Sequence, residues 1–204
     1  MTSIFRKNFY FQLALILFFL AMSAFEIRAA LISPSPQKEK VIQATRVRSP
    51  LTIDGQLTEE VWQQRGVDDF TQSDPVDGGE PSERTEVWIA YDDEALYVAA
   101  RLYDSSPQEI TARLGRRDDF VESDWFILAV DPYFDRRSGY MFAVNPAGSI
   151  CDWTLYNDVN RDSTWDGVWE WATNIDDQGW SVEIKIPFDQ LRFPSQEPVS
   201  YTHL

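Results

Sequence analysis

The chain has 204 residues, of which 44% are hydrophobic and 14% aromatic, and it carries a formal charge of −15 at pH 7. That length holds one ordinary domain with a sizeable core, and the acidity speaks against nucleic acid or anionic lipid as partner, since both need clusters of Lys and Arg. A single cysteine, Cys151, excludes an internal disulfide, and a single histidine, His203, excludes a Ser-His-Asp or Cys-His apparatus and a histidine-rich zinc site.

Residues 1–30 read as a secretory signal. Arg6 and Lys7 form a positive start, and Phe9 to Phe25 is apolar except for Tyr10, Gln12 and Ser23. Ala21, Ser23, Ala24, Ala29 and Ala30 supply small residues near a cleavage point. The apolar run falls short of the roughly 20 residues of a spanning helix, and an uncleaved anchor is the alternative. The expectation is an exported protein, periplasmic, outer-membrane-associated or secreted. Residues 1–30 hold Arg6, Lys7, Arg28 and Glu26, a net +2, so the remainder carries −17. Such a charge suits neutral ligands, cations or plain solubility.

Residues 31–44, with Pro34, Pro36, Lys38 and Lys40, read as a linker. The domain is expected over residues 45–194. Ala44 to Val47 is a short strand candidate, and Asp54-Gly55 a turn. Thr58 is placed to cap a short helix whose Val61 and Trp62 face the core. From Val87 the pattern alternates at period two. Val87, Ile89 and Tyr91 share a face, Asp92-Asp93-Glu94 turns the chain, and Leu96, Val98, Ala100 and Leu102 line one side of the return strand. Further strands are predicted over 125–130, 140–145, 149–156, 169–175 and 180–186. In the last of these, Trp180, Val182, Ile184 and Ile186 face inward, and Ser181, Glu183 and Lys185 are expected in solvent. Pro187 stops the ladder, and residues 188–191 suit a single helical turn. Many short strands without a βαβ rhythm predict an all-β, antiparallel, jelly-roll-like β-sandwich with one short N-terminal helix.

Several groups of residues could carry chemistry. Trp125, Trp153, Trp165, Trp169 and Trp171 are either core or flat platforms for the apolar faces of sugars. Arg116-Arg117-Asp118-Asp119 is either a fork for hydroxyl groups or a solvated loop of weak ion pairs. Asp158-x-Asn160-x-Asp162, with Asp166 four residues on, begins like a calcium loop. Ser163 at its sixth position and Trp169 at its twelfth break the EF-hand form, which leaves a different oxygen cage, with Asp152 as a further ligand, or an acidic surface turn. Among 33 Asp and Glu residues, carboxylate pairs of the kind used in glycoside hydrolysis arise by chance.

Four motifs in order resemble family 9 carbohydrate-binding modules. They are Ile53-Asp54-Gly55-Gln56-Leu57 with Val61-Trp62, the run from Tyr91 to Val98, Ser123-Asp124 with Val130-Asp131, and Trp180 to Pro187. Arg116 to Asp119, Asp131-Pro132-Tyr133, Asn145-Pro146-Ala147-Gly148 and Trp165 to Trp169 are similar to the family-9-like N-terminal domain of large exported proteins with a barrel-like C-terminal half. The resemblance spans residues 45–194 and implies a jelly-roll-like sandwich, sugar binding and structural Ca2+.

Sugar-binding members of that family clamp a terminal sugar between two tryptophans. One of these lies just before the strand that begins at Asp124, where this chain has Phe120 and Val121; the other would fall beyond residue 204. A strand position that resembles an arginine in binders is Ala143 here, and Asn145 is retained. The resemblance therefore makes Arg116, Arg117, Asp119, Phe120, Asp124, Trp125 and Asn145 the candidate carbohydrate-binding residues. Asp158, Asn160, Asp162 and Asp166 remain the candidate metal ligands. Residues 195–204 match nothing in the family, and a truncation or artefact is expected there. The function expected is a non-catalytic domain that binds an oligo- or polysaccharide and serves xylan- or cellulose-type breakdown. The alternative is a sugar-site-less structural or interaction domain at the start of a larger outer-membrane barrel protein. A catalytic glycosidase domain is the third option.

Overall fold

The computed structural model describes residues 41–157 and 160–193. Chain contacts divide the protein into two units, residues 1–40 and 41–204, and every described residue belongs to the second. Its strands are β1 (Thr45–Arg46), β2 (Thr85–Tyr91), β3 (Ala95–Tyr103), β4 (Phe126–Val130), β5 (Gly139–Val144), β6 (Ile150–Tyr156), β7 (Asn160–Asp162), β8 (Glu170–Asp176) and β9 (Gly179–Pro187). They form a five-stranded sheet in the order β1-β2-β3-β9-β8 and a four-stranded sheet in the order β4-β5-β6-β7. All pairings are antiparallel except β1 on β2. The expected antiparallel sandwich is the architecture found.

The interior between the sheets follows directly from the alternation. Val87, Val98, Ala100, Val182, Ile184 and Ile186 come from the first sheet, and Tyr140, Phe142, Val144 and Ile150 from the second. Leu96 packs against this cluster, whereas Ile89 is half-buried and stays outside it. Each fully buried Val or Ile side chain contributes about 1.5–3 kcal/mol. Trp169 and Trp171 join the same interior, with ring centroids 5.1 Å apart, so their shared face is core and not a platform.

The outer face of the five-stranded sheet departs from the sequence reading. Ser181 and Glu183, expected in solvent, are buried at 2% and 0% exposure. The segment of residues 51–64 lies across that face and packs Val61, Trp62, Leu51, Ile53 and Leu57 on Tyr97, Ala99 and Ala90. Glu183 is the fastening. Its Oε2 accepts the N–H groups of Asp54 and Gly55 at 3.0 and 2.8 Å, and its Oε1 accepts the Trp62 Nε1–H at 2.9 Å. Period-two patterning identifies a face opposite the core, but it does not reveal that a distant segment covers it. The predicted helix is a single 3-10 turn, Glu60–Gln63, preceded by Glu59 and without a side-chain cap, so Thr58 does not play the capping part.

Candidate ligand-binding face

The loop between β3 and β4 is fastened to the free edge of β6. The Asp118 N–H donates to the carbonyl of Ile150 at 3.0 Å, and the Asp152 N–H donates back to Asp118 Oδ1 at 3.0 Å. Asp118 adopts a φ of 63°, a left-handed turn that Asp tolerates better than most residues. The Arg117 guanidinium reaches inward, with Nη2 at 3.0 and 2.8 Å from the two carboxylate oxygens of Asp152 and 2.8 Å from the Gly167 carbonyl. Its Nε lies 3.0 Å from Asp166. Asp152 is completely buried and also accepts the Gly167 N–H at 2.7 Å and the Trp169 Nε1–H at 3.2 Å. Burial raises the Asp118 pKa; the Asp152 N–H lowers it and the Asp152 carboxylate raises it, with a net upward shift.

With Arg117 and Asp118 used as anchors, the alternate residues of the loop point away. Phe120 is 49% exposed and lies flat on Trp125, with ring centroids 4.3 Å apart and an interplanar angle of 12°. Trp153 stands 6.0 Å from Phe120 at 46°, and Arg161 sits 5.4 Å above the Trp153 ring. Beneath these rings the outer face of the four-stranded sheet contributes Ala143, Cys151 and Met141. Cys151 is fully buried, as read from sequence, and burial pushes its thiol up to about 11. The side chains of Arg116 and Asp119 are exposed beside Phe120 in sequence, and they have no partner among the described residues. The result is a half-open aromatic shelf with an uncommitted donor group and an uncommitted acceptor group on its loop.

The remaining candidates are placed differently. Asn145 is fully buried, and its amide is spent on the Arg113 carbonyl at 2.7 Å and the Ser149 N–H at 2.9 Å, so it holds the β5–β6 turn to the loop. Asp124 accepts the Thr111 N–H at 3.0 Å. Trp125 donates its indole N–H to the Val121 carbonyl at 3.0 Å and supports Phe120 from below. Of the candidate metal ligands, Asp158 lies outside the described residues. Asn160 and Asp162 lie on β7, a strand that the sequence reading took as a loop, and Asp162 accepts the Thr164 N–H and hydroxyl at 2.9 and 2.7 Å.

Asp166 instead stands with Asp118 and Asp152, each offering a carboxylate oxygen within 4.8 Å of the others. Those three do not fit Ca2+ with the chain as folded, because the Arg117 guanidinium already supplies the positive charge at that point. Residue-by-residue reading weighs Trp153 as core or platform without joining it to Phe120, and it misses Arg161 beside it. The pairing of Met141 with Trp153 and of Ala143 with Cys151 puts these side chains on one face, and the Cys151–Trp153 alternation was the available signal.

No protein-family model and no curated protein matches the sequence. Solved structures do. A protein from Bacteroides uniformis ATCC 8492, described as a candidate carbohydrate-binding protein, superposes with a TM-score of 0.55 at 14% identity, covering 80% of this chain and 78% of its own. This is its β-sandwich fold. Two structures of a family 9 carbohydrate-binding module from Caldicellulosiruptor kristjanssonii, in complex with glucose and with cellotriose, are also similar. Their TM-scores are 0.48 and 0.47 at 19% and 20% identity, covering 78% of this chain in both cases and 71% and 70% of theirs. They come from the family that the sequence motifs resemble.

Proposed function

We propose that this chain is a non-catalytic carbohydrate-binding domain of an exported protein, with residues 1–30 as its signal and cellulose- or xylan-type chains as its ligands. The observation that carries this reading is the Phe120 ring, half exposed and supported flat by Trp125, on a loop that also presents Arg116 and Asp119. Sugars offer apolar C–H faces to such a ring, and their hydroxyls pair with charged donors and acceptors at its margin. The solved structures with this fold are named for carbohydrate binding, and one binds cellotriose.

Calorimetry with cello- and xylo-oligosaccharides tests the proposal. Binding heat is expected from the chain, and Phe120→Ala should weaken the affinity about tenfold, equivalent to about 1.4 kcal/mol, with the unfolding midpoint nearly unchanged. Absence of heat with both series would leave the alternative, a structural or interaction domain without a sugar site at the start of a larger outer-membrane barrel protein.

A further inference from the structure

The opposite face of the molecule carries a groove that the aromatic shelf does not use. Segment 51–64 covers only part of the outer face of the five-stranded sheet, and beside it a groove of about 720 Å3 remains open. That volume lies within the range of roughly 300–1,000 Å3 found for small-molecule sites. A row of polar residues runs across four strands at its floor, since Glu86 pairs with Arg101, Arg101 with Ser181, and Ser181 with Asn174.

The charges on the floor of this groove are paired, while Arg65, which also lines it, is 84% exposed and has Asp68 at 3.4 Å. Arg101 makes a two-point bridge to Asp176, with Nη1 at 2.8 Å and Nη2 at 2.5 Å from its two carboxylate oxygens. Glu86 accepts from Arg84 at 2.8 Å and from the Gly66 N–H at 2.9 Å. A metal ion or a phosphate would therefore find neither a free carboxylate nor a free guanidinium on the floor. What remains available is neutral. The side-chain amides of Gln56, Gln64, Asn174 and Gln178 line the groove, are exposed, and have no partner among the described residues. Each offers a donor pair and an acceptor, as a vicinal diol requires from its receptor. Trp88 adds half-buried ring surface, and its indole N–H is spent on the Gln64 carbonyl at 2.7 Å, which leaves its carbon face as the contact; the Tyr103 ring beside it carries the Arg84 and Arg101 guanidinium groups at 5.1 and 5.5 Å.

We infer that this groove is a second saccharide-binding site, taking a neutral, uncharged glycan chain on the face opposite the Phe120 shelf. The polar row crosses four strands, roughly 14 Å at about 4.8 Å per strand spacing, a length that suits a chain of several sugar units. Glycans with carboxylate or sulfate groups are disfavoured, because no unpaired floor cation is present to meet them. The inference does not depend on the Phe120 reading, as the groove draws on β2, β3, β8, β9 and segment 56–65, and the shelf on the β3–β4 loop and β5 to β7.

The test follows the side-chain NH2 resonances of Gln56, Gln64, Asn174 and Gln178 in the 15N-labelled 204-residue chain. Cellohexaose, xylohexaose and mannohexaose are added separately to millimolar concentration. At least one of the three is expected to shift these resonances saturably. The double variant Asn174→Ala, Gln178→Ala, at two exposed positions, should weaken that response at least tenfold and leave the signals around Phe120 unaffected, whereas Phe120→Ala should not alter it. Three outcomes overturn the inference: no shift with any of the three sugars, shifts that persist in the double variant, or shifts that vanish with Phe120→Ala. Groove shifts without any response around Phe120 would uphold the second site and defeat the shelf.

Discussion

Two buried carboxylates, Glu183 on the outer face of the five-stranded sheet and Asp152 on the inner side of the four-stranded one, each accept hydrogen bonds from a segment distant in sequence. Burial raises the Glu183 pKa above its ordinary 4.5, three donor groups pull it back, and the charge of Glu59 adds to the rise. As pH increases, the unfolded chain therefore gives up this proton first. The stability tied to the carboxyl is complete below 4.5 and is lost as pH climbs through the folded value. Glu183→Gln removes that titration and turns an amide N–H toward a donor, which should cost about 1–3 kcal/mol near neutrality. The advantage of the wild type over the variant should then widen as pH falls toward 4.5, as read by urea titration at a series of pH values. A constant gap would mean that the carboxyl does not titrate as burial dictates. At the other carboxylate, Arg117→Met should cost about 3 kcal/mol, because it strands the Asp152 charge in the core. It should also lower sugar affinity by loosening the Phe120 loop, and Arg117→Lys, which keeps the charge and loses the fork, should fall between.

At the scale of elements, segment 51–64 behaves as a tenth strand would, covering a sheet face without joining the ladder. Trp62, 3% exposed, supplies most of its apolar anchor, so Trp62→Ala should destabilise by about 3–5 kcal/mol. The same change should uncover Tyr97 and Ala99 to a hydrophobic dye in calorimetric or fluorescence scans. Gly55, at φ 80°, turns the segment close to β8, where an added Cβ would meet the Thr173 backbone at 2.8 Å. The legibility of the sequence divides at this point. Strands β2, β3 and β9 were readable because Val87, Val98, Val182 and Ile184 alternate with polar or small neighbours, and that alternation is local. Glu183 also alternates, so local pattern put it in water. Its burial depends on residues more than a hundred positions away, which periodicity cannot report. The shelf was half readable. Phe120 stood out as an aromatic in a polar loop, but Asn145 and Arg117 looked equally polar; Asn145 is buried, and the partly exposed Arg117 is spent on Asp152. Strand β7 reads from sequence as an oxygen cage or an acidic surface turn because its three residues, Asn160 to Asp162, carry no apolar alternation at all.

For the whole molecule, charge is the property that no single contact explains. The 204-residue chain carries a formal charge of −15 at pH 7, and several of its ion pairs are exposed, as with Arg46–Asp93 at 60% and 85% side-chain exposure and Arg113–Glu122 at 59% and 86%. Such pairs contribute about 0–1 kcal/mol each and are weakened by salt. The surplus of carboxylates repels itself across the compact state and is relieved on unfolding. Salt therefore acts in two directions, and their relative size decides the sign. The donors around Glu183 are screened little because they are buried, and Arg117–Asp152 is screened in part, since Asp152 is buried while the Arg117 side chain is 38% exposed. What salt removes is the surface contribution, in which the repulsive pairs outnumber the attractive ones. Raising sodium chloride from about 0.01 M to about 1 M shortens the screening length from roughly 30 Å to 3 Å and should raise the unfolding midpoint. A gain of about 1 kcal/mol corresponds to roughly 2–4 °C for a chain of this size. A falling midpoint would show that the surface ion pairs, and not the excess of carboxylates, set the balance. Neutral sugar binding at either face should meanwhile be almost indifferent to salt, since no counterions are released when an uncharged chain docks.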